Sequence, residues 1–201
     1  KNRFSKNWII KQKRDVYVKQ SKIEGYRSRA VYKLQEINKK FKILKNGIRL
    51  IDLGAAPGSW SQYVIRNFEN SKIVSIDLKE MEEVKNVYQI VGDFTDEVQQ
   101  KKIIEHFNCK VDAVISDMAV NTTGNKSIDS IVTGELSIKA LNFSTNVISK
   151  QGSFISKIFM GQLFNEIITI AKKKFKQTHV YKPPASRKDS KESFIICKHL
   201  R

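Results

Sequence analysis

Short apolar runs alternate with longer stretches of helical period along most of this chain. The runs at 48–53 (IRLIDL), 72–78 (KIVSIDL), 87–94 (VYQIVGDF), 111–119 (VDAVISDMA) and 152–159 (GSFISKIF) have the length and β-branched content of buried strands. Between them, residues 27–41 place Ala30, Val31, Leu34, Ile37 and Phe41 on one helical face. Helical spacing recurs over 59–68 (Trp60, Tyr63, Val64, Phe68), 96–107 (Val98, Ile103, Ile104, Phe107), 129–149 (Leu136, Ala140, Leu141, Val147) and 162–175, which ends in a lysine run. NTTGNKS, 121–127, reads as a polar loop. The last two apolar runs, 177–182 and 193–199, are joined by PPASRKDSKE, which leaves no room for a helix. They are expected to form an antiparallel hairpin at one sheet edge. The alternation predicts βαβ units and an α/β fold with a mostly parallel sheet. One domain over residues 1–201 is expected. Residues 1–26 have no clean period and read as a basic arm with room for a short helix.

Charge changes this picture at the two ends. Residues 1–29 carry ten Lys/Arg against two Asp/Glu, +8, and residues 172–201 repeat those numbers. The stretch between carries 17 basic and 16 acidic residues, so a near-neutral body has two basic ends and the chain a net +17. Such a field suits a polyphosphate partner. A solvated tail would need no anchors, yet Trp8, Tyr17, Tyr26 and Tyr181 lie among these charges. No apolar run approaches the roughly 18 residues of a membrane span, and the first residues lack a secretory apolar core. Cys109 and Cys197 are far apart, and His106, His179 and His199 have no metal-ligand spacing, so reduced thiols and no metal are expected.

The sharpest local signal is LIDLGAAPGSWSQYV, residues 50–64: a strand, a Gly/Pro turn, then a helix. Ligands of open α/β sheets sit beyond the carboxyl ends of the strands. No Lys-Ser/Thr pair follows Gly58, so this is not a GxxxxGK[ST] phosphate loop, and the spacing Gly54-Ala-Ala-Pro-Gly58 is not GxGxxG. Acids end the strands that follow. Asp77, 23 residues after Gly54, is placed to accept hydrogen bonds from a ribose diol. Asp93, beside Phe94, is placed to read an adenine amino group while the ring covers its face, and Asp117 ends the next strand. Together with the turn, these acids describe an adenosine carrying a small zwitterion, S-adenosylmethionine.

DLGAAPGSWSQ, SRAVYKL, SDMA, SFISKIF and KPPASRKDSKES together resemble the FtsJ/RrmJ family of RNA ribose 2′-O-methyltransferases, from about residue 14 to 198. The resemblance implies a Rossmann-like methyltransferase fold with strand order 3-2-1-4-5-7-6 and helices on both faces. It also implies a catalytic set of Lys33, Asp117, Lys157 and Glu192, and a cofactor site of Gly54, Ala55, Pro57, Gly58, Trp60, Asp77, Leu78, Asp93, Phe94 and Asp117. The family's usual SDMAPN is SDMAVN here, with Val120 for proline, and APGGW is APGSW, with Ser59 for glycine. Neither change removes a reacting group.

Lys157 is the candidate base. Its place near the end of an apolar strand, with Lys33 as a second cation, favours the neutral amine; Asp117 and Glu192 favour the charged form. If it keeps its proton, it orients the hydroxyl instead. The implied substrate is RNA, with the short chain and basic arm most like enzymes acting on an A-loop uridine of large-subunit rRNA in the assembled subunit. A tRNA enzyme of the same family, a non-catalytic RNA-binding assembly factor and a small-molecule methyltransferase are the alternatives; the basic ends argue against the last. A monomer in the bacterial cytoplasm is expected, with an organelle matrix as the other location.

Overall fold

A computed structural model describes residues 15–118 and 126–201. Trp8, most of the basic arm, Ala119, Val120 and most of the 121–127 loop lie outside the described residues. Helix α1 (Val16–Ile23) is the first element of the described residues, with the Asp15 side chain accepting from the Tyr17 N–H as its N-cap. It docks through Tyr17, whose ring lies 5.2 Å from that of Tyr32. There follow α2 (Val31–Phe41), β1 (Arg49–Leu53), α3 (Ser59–Asn67), β2 (Lys72–Asp77), β3 (Val87–Val91) and α4 (Glu97–Phe107). The second half comprises β4 (Val111–Ser116), α5 (Lys126–Val147), β5 (Ile148–Phe159), α6 (Phe164–Lys174), β6 (Phe175–Tyr181) and β7 (Glu192–Leu200).

The seven strands form one sheet in the order β3-β2-β1-β4-β5-β7-β6, as the resemblance implies. The first five strands run parallel, and β7 is antiparallel to both β5 and β6. Successive side chains of a strand face opposite sides of a sheet. Leu50, Ile73, Ile155 and Phe194 therefore pack with Leu34 and Ile37 of α2 and Trp60 and Val64 of α3. Ile51, Val74, Phe154 and Ile158 pack with Ile103 of α4, Leu141 of α5 and Ile167 of α6. Both faces of the central strands are covered, which is why they read as continuous apolar runs.

Several boundaries depart from the pattern. β3 stops at Val91, because the Gly92 N–H turns to the Asp77 carbonyl and Asp93 caps a turn on Thr95. β5 begins at Ile148, four residues before Gly152. Its register against β4 slips between Val111 and Ala113, and a Cβ on Gly152 would stand 3.0 Å from the Ser149 carbonyl oxygen. This bulge puts Ser149, Lys150 and Gln151 where alternation gives no strand signal. On α4, Ile103 is buried while Val98 and Ile104 are exposed, so only part of that helix's apolar set is core. Among the described residues no helix is long and apolar enough to cross a membrane.

Candidate active site

Four ionisable side chains meet at the carboxyl end of the central strands. Lys33 lies in the first turns of α2, Asp117 just after β4, Lys157 near the end of β5 and Glu192 at the start of β7. Period two puts Lys157 on the same face of β5 as Ile155, the face that α2 covers. Lys33 Nζ donates to Glu192 Oε2 at 3.0 Å and stands 3.6 Å from Asp117 Oδ1. Lys157 Nζ stands 3.0 Å from the same Oδ1 and donates to the Asp117 main-chain oxygen at 2.6 Å. The result is a row of alternating charge, Glu192–Lys33–Asp117–Lys157. Lys33 stands beyond hydrogen-bond length from Oδ1, and among the described residues this buried oxygen has no hydrogen-bond partner. Its coupling to the two lysines is chiefly Coulombic.

Burial alone would push Asp117 up, but the charges of Lys157 and Lys33 outweigh it and hold its carboxyl below the usual carboxylate range. Burial works against the Lys33 ammonium, and Asp117 and Glu192 reverse it, raising Lys33 above the ordinary lysine value. The row is further fixed from below. Ser137 of α5 donates from Oγ to the Lys157 carbonyl at 2.9 Å. A cavity of about 410 Å³ opens beside Lys33 and Glu192, lined also by Arg29, Arg187 and Ser190. Asp15 holds both arginines, 3.1 Å from Arg29 Nη1 and 3.5 Å from Arg187 Nε. The loop of residues 186–191 thus borders the row.

The glycine turn lies next to this row. Gly54 has φ +71°, and its N–H and that of Ala55 both bond the Ile76 carbonyl. A Cβ at Gly54 would fall 2.1 Å from Met118 Cγ, so only glycine lets the turn approach the segment after Asp117. Gly58 begins α3 with φ +103°. Asp77 accepts from Ala56 N–H at 2.9 Å on one oxygen and from Lys79 N–H at 2.8 Å on the other. Each oxygen keeps a second lone pair, which suits a ribose diol. Asp93 uses Oδ1 on Thr95 N–H and Oγ1, both 2.8 Å, and Leu78 is an exposed apolar surface beside Asp77. The turn, the acids at three strand ends and the buried Asp117 oxygen fit a nucleoside with a cationic appendage.

Two expected contacts are placed differently. Phe94 is buried in the core, so its ring is no free platform; it anchors the loop that carries Asp93. Trp60 is likewise enclosed: its Nε1 donates to the Ala30 carbonyl at 2.8 Å and its ring packs on Phe194. It steadies the turn and α2 from beneath. The anchoring aromatics of the basic ends have partners within the protein. Tyr17 carries Arg29, Tyr26 carries Arg66 and Tyr181 carries Lys40 over their rings, so these three rings are engaged within the protein.

The motifs assign no role to Asp52, although an acid inside the apolar run IRLIDL is itself a signal. It is wholly buried and accepts from Ser61 Oγ at 2.8 Å. Burial pushes its carboxyl up to about 7; Ser61 opposes this and the charges of Asp117 and Asp77 add to it. A carboxyl raised on folding contributes stability that is complete below about pH 4 and lost as pH rises toward 7. Asp52→Asn is therefore expected to gain in Tm relative to the unsubstituted chain as pH rises from 4 to 8. Thermal melts across that range check it; a constant difference contradicts it.

A profile described as FtsJ-like methyltransferase matches residues 26–200. A Pelagibacter ubique protein named ribosomal RNA large subunit methyltransferase E is 63% identical over 201 residues, covering 100% of this chain and 99% of that one. A protein of the same name from Zymomonas mobilis is 41% identical over 98% of this chain and 89% of its own length. A crystal structure described as a ribosomal RNA methyltransferase from Plasmodium falciparum superposes with a TM-score of 0.78 at 33% identity, covering 87% of this chain and 98% of that one.

Proposed function

This chain belongs to the FtsJ-like methyltransferase family, and from that premise we propose that it methylates the 2′-hydroxyl of a ribose in large-subunit ribosomal RNA, a uridine of the A-loop in the assembled subunit. The observation that carries the reading is the convergence of Lys33, Asp117, Lys157 and Glu192 in one row beside a cavity with two arginines. The relatives' names support ribosomal RNA as the substrate class.

S-adenosylmethionine is the cofactor and, when bound, supplies an electrophilic methyl group. The turn of Gly54, Ala55, Pro57 and Gly58, with Asp77, Leu78, Asp93, Asp117 and the backbone at Phe94, would hold it. Trp60 acts through the turn it supports. The chain's own task is to place a hydroxyl and handle its proton. Placement of reactants is worth up to about 7–11 kcal/mol in favourable cases, and a general base typically about 10²–10⁴-fold.

Lys157 Nζ takes the proton in this reading. The nitrogen donates to the Asp117 carbonyl at 2.6 Å and stands 3.0 Å from Oδ1, which places it beside the row. As a base it would take the hydroxyl proton on the lone pair of the neutral amine. Asp117 fixes the amine, and Lys33, itself fixed by Glu192, holds Asp117 ionised. Arg29 and Arg187 in the adjacent cavity suit phosphates flanking the target ribose.

Alkaline hydrolysis of the product tests the chemistry. A 2′-O-methyl group blocks attack on the neighbouring phosphate, so label is expected in alkali-resistant dinucleotides. Label recovered in mononucleotides would place the methyl on a base and end the ribose reading.

A further inference from the structure

Arg27 lies outside the charged row, yet it is the most heavily bonded side chain around the glycine turn. Its Nη1 donates to the Pro57 carbonyl at 3.0 Å and the Glu82 carbonyl at 2.7 Å, and Nη2 donates to the Glu83 carbonyl at 2.8 Å. The side chain is only 17% exposed. Its own N–H donates to Gln62 Oε1 of α3 at 3.0 Å. The next residue repeats the link: the hydroxyls of Ser28 and Ser59 are hydrogen bonded at 2.8 Å, and Ser28 Oγ also accepts from the Ala30 N–H at the start of α2.

These contacts join three segments that no strand pairing joins. One is the turn 54–58. Another is 79–84, which follows Asp77 and carries the Glu82 and Glu83 carbonyls. The third is the chain leading into α2 and Lys33. Gly58 makes the close approach possible: a Cβ there would stand 2.9 Å from Arg27 Nη1 and 3.1 Å from Val84 Cγ2. A planar guanidinium fork presents donors to several carbonyls at once, which an ammonium does not do in a fixed geometry. An ion pair is a minor part of this arrangement, since Glu82 Oε2 is 3.8 Å away and its side chain 90% exposed.

We propose that Arg27 is a positioning residue for the cofactor: by clasping the carbonyls of residues 57, 82 and 83 it sets the spacing between the glycine turn and Asp77 into which the nucleoside fits. The clasp rests on the cofactor reading above. It acts before any chemistry, so binding alone reads it. Ser59, where the family pattern has glycine, adds a hydroxyl bond that ties the same turn to the start of α2.

The test is calorimetric titration of S-adenosylhomocysteine into the unsubstituted chain, Arg27→Gln and Arg27→Lys, with melting curves for each. Arg27→Gln keeps a donor but loses the fork, and its Kd is expected to rise about ten-fold or more. Arg27→Lys is expected to weaken binding by a smaller factor, while RNA affinity measured without cofactor stays unchanged. Equal Kd values for all three proteins, with or without a fall in Tm, would overturn the clasp and leave the cofactor reading intact. If the unsubstituted chain does not bind the probe, the cofactor reading falls and the clasp with it. Should Arg27→Gln fail to fold, the Kd of Arg27→Lys decides: a rise supports the clasp and parity with the unsubstituted chain overturns it.

Discussion

Lys157→Ala is expected to lower the rate of methyl transfer by about 10²–10⁴-fold, with a far smaller effect on cofactor binding and with the fold kept. The expectation follows from where the amine sits. It reaches the Asp117 carbonyl at 2.6 Å and Oδ1 at 3.0 Å, and alanine offers no atom at that position. Of the cofactor residues Lys157 touches only Asp117, so the Kd for S-adenosylhomocysteine should change far less than the rate. Asp117 keeps Lys33 as a counter-ion at 3.6 Å, which limits the cost in stability. Lys157→Arg separates the two roles open to this residue. A guanidinium does not give up its proton in a protein. If Nζ accepts the hydroxyl proton, arginine should be as inactive as alanine. If the residue only orients the hydroxyl, arginine should retain much more activity than alanine. Single-turnover assays at saturating cofactor, beside calorimetry, make the comparison.

Asp117→Asn is expected to be the most damaging change for stability and activity together. The carboxylate is the shared counter-ion of two buried lysines, Lys33 at 9% and Lys157 at 7% exposure. A neutral amide leaves Lys157 without its charged partner and Lys33 with Glu192 alone. Breaking a buried pair from one side costs about 3–5 kcal/mol, which for a chain of this size lowers Tm on the order of 10 °C. The pH dependence follows from the two displaced groups. Asp117 is held below the carboxylate range, so its pairing contributes stability above about pH 4, lost as pH falls through its depressed value. Lys33 is raised, so its contribution is present below about pH 10.4 and lost as pH rises through its elevated value. The Tm deficit of Asp117→Asn should hold steady from pH 6 to 9, shrink in acid, and shrink again in strong alkali as Lys33 loses its proton. A deficit that vanishes at neutral pH would contradict the ion-pair account.

The sheet was legible because its central strands are covered on both faces and so read as unbroken apolar runs. The antiparallel β6–β7 pair followed from a connection too short for a helix. What escaped was set by contacts distant in sequence. The bulge at 149–151 hides the start of β5, and the docking of α1 depends on Tyr32 and Arg29 rather than on its own period. The row of charges was legible only through motif resemblance. Lys33 alone reads as a solvated helix lysine and Glu192 as one more acid in a charged loop. Lys157 was different, because a lysine inside ISKIF already contradicts a buried strand. Asp52 carried the same kind of contradiction. Arg27 carried none, since its value lies in main-chain carbonyls that no pattern of side chains records.

The central claim is that this row of charges serves transfer of a methyl group to large-subunit RNA. The most direct measurement offers labelled S-adenosylmethionine with undermethylated large ribosomal subunits, free ribosomal RNA and tRNA in parallel, with Lys157→Ala beside the unsubstituted chain. Label in the large subunit that disappears with Lys157→Ala is the expected result. Label only in tRNA would keep the chemistry and refute the ribosomal substrate. No label in any RNA, with S-adenosylhomocysteine still bound, would contradict the claim and point to an RNA-binding factor that has kept its cofactor pocket.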